Sequence, residues 1–409
     1  MAYKRKSKKD SKPERSSVDN LALELRDAAI RELGQTKVLA ADTFLDMVNG
    51  LPLTGNIPLQ HMLGVDVLAL GRTMTLVGPS GSSKSSLGWY LAQQFLHNQG
   101  LVMLFETENK TNPDQVRAII DDDELFNRVT YVKCNTLNKL FSNLIFFVKQ
   151  YEKHVPNKDV PMMLFIDSLG AITTDEAREK ADKDDSDNYQ GARNASAIQN
   201  FLQTFIPEYV EPNPIMLVVV NHQKIKIDQK SGPFAPTLKR EPGGDHKEFL
   251  WTWKLEMAKG PVKKSVKGIT PVYRLKSGKS SLGPSYKHSL EVPYTSNFTD
   301  DALEHISYDW DEALTNLLAN PIFSATLIKD IVGFKKNGNK YSSSVLGLKD
   351  VSASELGKAI HADEKMTKEI QEKLLHIRRK RKFAEEDEEP ESEPEPVESV
   401  EPSIPTGDD

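Results

Sequence analysis

Four short polar groups, each placed directly after an apolar run, carry the chemistry open to this chain. The first comprises Gly78, Pro79, Ser80, Gly81, Ser82, Ser83, Lys84, Ser85 and Ser86, between the apolar run 74–77 and a helix-like stretch that starts at Lys84. Small residues let backbone N–H groups curl inward around an anion, and the helix N-terminus adds partial positive charge. Lys84 supplies a point charge for the β- and γ-phosphates of a nucleotide, and Ser85 supplies a hydroxyl for Mg2+. The pattern is GxxxxGK[ST] with one departure, Ser83 in place of the second Gly. The second group is LFETE, residues 104–108, where a strand runs into Glu106 and Glu108. A carboxylate there can orient and activate water. A solvated strand end is the plainer account, more so for Glu106 than for Glu108. The third is MMLFIDSLG, residues 162–170, where an apolar run meets Asp167, placed to hold Mg2+ through water in the manner of a Walker B carboxylate. A carboxylate that merely caps the strand is the alternative. The fourth is IMLVVVNHQ, residues 215–223, ending in Asn221 and His222. Such groups can touch a γ-phosphate and register its loss; a hydrogen-bonded or solvated histidine is the alternative.

To act together, these groups must sit along one edge of one sheet. The chain alternates accordingly: strand 74–77, helix 84–97, strand 101–105, helix from Pro113, strand 129–133, helix 137–151, strand 162–166, helix near 195–205, strand 215–220. The apolar runs are short and continuous, as in parallel strands buried on both faces. The expected fold class is α/β with a mostly parallel central sheet. Residues 248–257, 270–276 and 286–292 read as strands that extend the sheet in antiparallel fashion. Residues 300–382 read as mostly helical, with turns around Pro321, 333–338 and Gly347. The expected organisation is a basic arm 1–18, an N-terminal helical segment 19–50 suited to oligomerisation, a core 51–298, a small C-terminal helical unit 299–383 and a tail 384–409. Arm and tail have the composition of chain without a fixed fold.

The net charge of −6 over 409 residues is uneven: residues 384–409 hold twelve acidic residues and no Lys or Arg, which leaves +6 for the remainder. A basic body with an acidic tail fits a polyanionic partner that the tail can imitate. A solubilising tail is the alternative. Cys134 is the only cysteine, which excludes a disulfide framework and a cysteine-based zinc site and suits a reducing cytosol. No apolar run reaches transmembrane length, and the basic N-terminus lacks the apolar stretch of a secretory signal. A cytoplasmic protein without a membrane partner is expected.

Taken in order, the phosphate loop, the strand with Glu, the Asp-ended strand and the strand ending Asn-His resemble the RecA family of recombinases over roughly residues 35–295. Within that family the likeness is to the UvsX type of T-even-like phages, whose loop also begins GPS and also lacks the Gly before its Lys. Their Asp-ended strand also reads FIDSLG. The resemblance implies a RecA-like P-loop ATPase core using ATP and Mg2+. It implies a DNA-dependent ATPase that forms helical filaments on single-stranded DNA and promotes pairing and strand exchange with double-stranded DNA. Glu108 would orient water, Asp167 would hold Mg2+, and His222 would sense the γ-phosphate. Lys276 and Lys279 of RLKSGKSS would reach the γ-phosphate of a neighbouring protomer, at a spacing one residue longer than the commoner Lys-x-Lys. Gln115 stands where an aromatic packs on adenine in much of the family. The segments 173–194 and 223–247 would line the filament axis and hold DNA. The second carries Lys224, Lys226, Lys230, Lys239, Arg240 and Lys247 among glycines, which suits a phosphate backbone read without sequence preference. Phe234 is positioned to stack on bases. The first segment is net acidic, and of its cations Arg193 is the best candidate. Other expected partners are further copies of the chain and a single-strand-binding protein or loading mediator. Two rivals stay open: a RecA-fold helicase or translocase, and a filament scaffold that uses ATP only as an assembly switch. For the 299–383 unit, plain packing is favoured over a second DNA surface.

Overall fold

The structure, a computed structural model, describes residues 50–53, 56–181, 190–226, 238–240, 246–265, 268–282, 289–299, 302–319 and 329–374, together with Ala28 and Arg31, which are helical. The basic arm, the acidic tail, Lys230 and Phe234 lie outside the described residues.

In chain order the elements are β1 (Gly50–Pro52), α1 (Ile57–Leu63), β2 (Val67–Ala69), β3 (Arg72–Gly78), α2 (Lys84–His97), β4 (Leu101–Glu106), α3 (Pro113–Ile120), α4 (Asp123–Phe126), β5 (Val129–Lys133), α5 (Leu137–His154), β6 (Met162–Asp167), α6 (Asp175–Ala181), α7 (Gln190–Phe205) and β7 (Ile215–His222). There follow β8 (Lys224–Lys226), β9 (Leu238–Arg240), β10 (Trp253–Lys259), β11 (Lys263–Ser265), β12 (Gly268–Thr270), β13 (Val272–Ser280), β14 (Ser289–Thr299), β15 (Ala302–Tyr308), α8 (Trp310–Leu318), α9 (Lys329–Val332), β16 (Phe334–Asn337), β17 (Lys340–Ser343), β18 (Leu348–Val351), α10 (Ala353–Ala362) and α11 (Glu364–Leu374).

A nine-stranded sheet runs in the order β15-β14-β13-β10-β3-β7-β6-β4-β5. The strands from β10 to β5 pair in parallel, and β10 to β15 pair antiparallel. The protein is thus α/β with a large, mostly parallel central sheet, and the expected antiparallel extension is present. The continuous apolar runs have a simple cause. Successive side chains of a strand point to opposite faces, and both faces are covered. On β7, Met216, Val218 and Val220 enter one core, whereas Ile215, Leu217 and Val219 enter the other. The chain splits β6 in the same way, with Met163 and Phe165 against Met162, Leu164 and Ile166. Helices α2 and α3 cover the first face through Leu87, Leu91, Phe95, Val116 and Ile119, and α5 and α7 cover the second through Leu140, Leu144, Ile198 and Leu202. Each such side chain contributes about 1.5–3 kcal/mol on burial. Gly88 lets α2 close on β6: a Cβ there would fall 2.3 Å from the Phe165 ring.

Three expectations change. The segment expected as a strand from 248 begins as a 3-10 turn, His246–Leu250, and the strand starts at Trp253. There the Thr252 N–H donates to the Thr73 hydroxyl, and the chain joins β3. The third added strand runs on to Thr299, past the expected end at 292, and its expected start at 286 lies outside the described residues. The C-terminal region, helical over more than half of its described residues, also holds strands that the helical reading omitted. Its first element, β15, is the edge strand of the nine-stranded sheet, and β16, β17 and β18 form a separate antiparallel sheet. The turn signal at 333–338 is real, but it closes a hairpin: Gly338 has φ 60°, and Asn337 pairs with Lys340. Two-residue hairpin loops favour residues that tolerate positive φ. The border drawn at 298/299 therefore falls within the β14–β15 hairpin. Moreover, Trp310, Leu314, Leu318, Leu356, Ile360 and Ile370 share one core with α1 and α2, so the C-terminal region packs as part of the main body.

Candidate nucleotide site

Adjacent parallel strands β3, β7, β6 and β4 end at Gly78, His222, Asp167 and Glu106. Gly78 is the register partner of His222, and Glu106 of Asp167. Polar residues separated by up to 144 positions in sequence thus meet along one sheet edge, where ligands of open α/β sheets bind. His222, Asp167 and Glu106 line a cavity of about 340 Å³ with the loop 80–86, Trp89, Glu108, Lys110, Gln115, Tyr273 and Tyr294. That volume suits a small organic ligand.

The loop curls on itself. Lys84 Nζ donates to the Pro79 carbonyl at 2.7 Å, and Ser82 Oγ donates to the same oxygen at 2.9 Å. Gly78 approaches β10 so closely that a Cβ would lie 2.2 Å from the Met257 carbonyl oxygen. Lys84 is 5 % exposed, and burial lowers its pKa, although Asp167 and Glu108 act the other way. Burial pushes the Asp167 carboxyl up to about 6, against a hydrogen bond with Ser85 and with the help of Glu106 and Glu108.

Because that value lies above the free value of 3.8, the ionised Asp167 costs the fold stability above about pH 6, and the cost disappears below the free value. Replacing Asp167 by Asn is therefore expected to raise the melting temperature of the ligand-free chain by a few degrees near neutral pH. The gain should shrink toward zero as the pH falls to about 4. Thermal melts across that range check it; no gain near neutrality would mean the charge is not a burden there.

Glu108 gathers partners from two neighbouring strands and from its own turn. Its Oε1 accepts from Ser168 Oγ and from His222 Nε2 at 2.7 Å, and its Oε2 pairs with Lys110 at 2.5 Å. Burial alone would raise its pKa, but the hydrogen bonds from Lys110, Ser168 and His222 outweigh it and hold the carboxyl at about 2. An ionised carboxylate only accepts, so Nε2 of His222 carries the proton. Glu106, by contrast, is buried and fully engaged: it accepts from the Glu108 and Thr111 amides at 3.0 and 3.2 Å and from the Thr111 hydroxyl. It shapes the turn that presents Glu108. Thr107 fastens that turn to β6, donating to the Ser168 carbonyl at 2.6 Å and accepting from the Ser168 amide at 2.9 Å.

The expected loop residues, Glu108, Asp167 and His222 therefore come together. Lys276 and Lys279 do not line the cavity of their own chain. On β13, Lys276 lies 3.9 Å from Glu256, and Lys279 donates to the Glu248 carbonyl at 2.8 Å. Arg193 is exposed on α7. Lys224 and Lys226 lie on β8 and pair with Arg240 and Leu238 of β9, and Lys239 faces Ile225 in that ladder. Lys247 lies in the 3-10 turn. Sequence reasoning passed over Ser168, Lys110, Tyr273 and Tyr294. The tyrosines come from β13 and β14, and nothing in their local sequence points to a loop some 200 residues earlier.

A hard cation with oxygen ligands fits this set: the Ser85 hydroxyl and the Asp167 carboxylate are already within hydrogen-bond reach of each other at the start of α2. Among the described residues no helix is long and apolar enough to cross a membrane. Compared with protein-family models and with curated proteins, the sequence matches none.

Proposed function

We propose that the chain is a DNA-dependent ATPase of the RecA type, which assembles as a helical filament on single-stranded DNA and promotes homologous pairing and strand exchange. The observation that carries the ATPase reading is the Glu108–His222 hydrogen bond at 2.7 Å beside the phosphate loop. It couples a carboxylate suited to orienting water to the strand that continues into the basic ladder. Lys84 would pair with β- and γ-phosphate oxygens once it leaves the Pro79 carbonyl. Glu108 Oε2 would accept a proton of the attacking water once Lys110 turns to phosphate. Ser85 and Asp167 would hold Mg2+, which supplies charge neutralisation when bound. Tyr273 and Tyr294 offer aromatic faces for a base, so the Gln115 position need not supply one.

The DNA reading draws on β8 and β9. Directly after His222, the ladder carries Lys224, Lys226, Lys239 and Arg240, with Lys224 opposite Arg240. Four of the six paired residues are cations, a density of positive charge that suits a phosphate backbone. Turnover is expected to rise several-fold on adding single-stranded DNA, and negative-stain microscopy with ATP should show helical filaments on it. Closed rings together with duplex unwinding would favour the helicase instead. Filaments whose ATPase ignores DNA would favour the scaffold.

A further inference from the structure

Ser83, the residue that departs from the loop pattern, has a left-handed backbone at φ 64° and forms no side-chain cap for α2. Glycine reaches that region freely, whereas a residue with a Cβ is strained there. Its side chain instead reaches tyrosine hydroxyls, those of Tyr273 and Tyr294 as well as Tyr308. Ser83 Oγ and Tyr308 Oη are 2.8 Å apart, and Tyr308 Oη donates to the Ser83 carbonyl at 3.0 Å. A phenol has one proton, so the Ser83 hydroxyl is the donor in the first contact. Both bonds join residues 225 positions apart.

Tyr308 is itself held fast. It is 6 % exposed on β15 and meets the rings of Tyr294 at 5.0 Å, Trp310 at 5.4 Å and Tyr90 at 6.2 Å. The Tyr90 hydroxyl accepts from Asn56, the N-cap of α1, at 2.7 Å. On the other side of Lys84 and Ser85, Tyr294 Oη donates to Ser86 Oγ at 3.2 Å. Tyrosines of the β14–β15 hairpin therefore grip hydroxyls on both sides of the two residues that would meet phosphate and metal.

We propose that Tyr308 is the positioning residue that keeps the phosphate loop in its binding conformation, holding Ser83 in a backbone geometry that glycine adopts unaided. The inference rests on reading the loop as a nucleotide site. Tyr308 touches no phosphate; it acts through Ser83. It also ties nucleotide binding to the edge strand of the sheet and, through Trp310, to the C-terminal helices.

The test uses the full chain, a fluorescent ATP analogue with Mg2+, and a thermal melt of each variant. Tyr308→Phe keeps the ring and removes only the hydroxyl; affinity is expected to fall about tenfold. Ser83→Ala removes the Oγ–Oη bond alone, leaves the bond from Tyr308 Oη to the carbonyl of residue 83 and keeps the strained Cβ, so a smaller loss is expected. Ser83→Gly should bind about tenfold more tightly than Ser83→Ala, and in the Ser83→Gly background Tyr308→Phe should cost less than about twofold. An equal loss from Tyr308→Phe in both backgrounds overturns the proposal. So does a lowered melting temperature with unchanged affinity, which makes Tyr308 a packing residue only. If the unaltered chain does not bind the analogue, the nucleotide reading itself falls; binding without coupling sinks the Tyr308 proposal alone.

Discussion

Replacing Glu108 by Gln is expected to slow ATP turnover by about 10²–10³-fold while nucleotide affinity stays within about threefold. The amide keeps the size of the side chain and can still accept from Ser168, so the turn at Glu106–Thr111 has no reason to move. It cannot take a proton, and it no longer attracts the His222 N–H or the Lys110 ammonium as a charge. The held-down carboxyl pKa of about 2 matters for this prediction, because the group is ionised throughout the physiological range and available as an acceptor. Single-turnover hydrolysis beside titration of a fluorescent nucleotide separates the two effects. A loss of turnover below about tenfold would remove Glu108 from the chemistry. A matching loss of affinity would instead make it a binding residue.

The second large effect concerns Lys84. Lys84→Ala is expected to weaken Mg-ATP binding by at least about 100-fold, since charge-assisted bonds to phosphate are lost. The ligand-free chain should melt within about 2 °C of the unaltered one. That separation follows from the loop geometry. The Pro79 carbonyl keeps its hydrogen bond from Ser82 when the lysine is removed, so no buried acceptor is orphaned. Lys84 is also a buried cation whose pKa burial lowers, which makes its charge a burden on the empty site and an asset only when phosphate arrives. Unaltered nucleotide affinity in this variant would exclude the loop as a phosphate site. A strong drop in melting temperature would show that Lys84 chiefly serves the fold.

Glu106 and Glu108 show how far local sequence reaches. Both follow the same strand, and both are carboxylates near a phosphate loop. Glu106 is not the solvated strand end expected: it is buried in the turn, where amides and a hydroxyl absorb it. The weight of Glu108 comes from Ser168 and His222, which arrive from two neighbouring strands. Lys276 and Lys279, expected at the site of a neighbouring protomer, stand apart from the cavity of their own chain: β13 runs antiparallel to β10, so its later residues travel away from the end that Tyr273 lines. The strands of the C-terminal region went unread for a related reason. Hairpin strands such as Lys340–Ser343 are short and only half-buried, and their periodicity is too weak to compete with the helices beside them.

Legible in the chain alone were the βα alternation, the apolar strands buried on both faces, the Gly/Ser loop ahead of α2 and the polar residues that end β4, β6 and β7. These are local: a period, a run length or a turn composition sets each of them within a few residues. Only the tertiary structure decided which strand ends are neighbours, that Glu108 and His222 share a hydrogen bond, and that the tyrosines of β13, β14 and β15 line or brace the loop. Strand order depends on packing both sheet faces at once, and side-chain partnerships across it join residues more than 100 positions apart. Ser83 joins the two scales. Its presence is plain in the sequence as a missing glycine, but the reason it is tolerated is a hydroxyl supplied by Tyr308 from the far edge of the sheet.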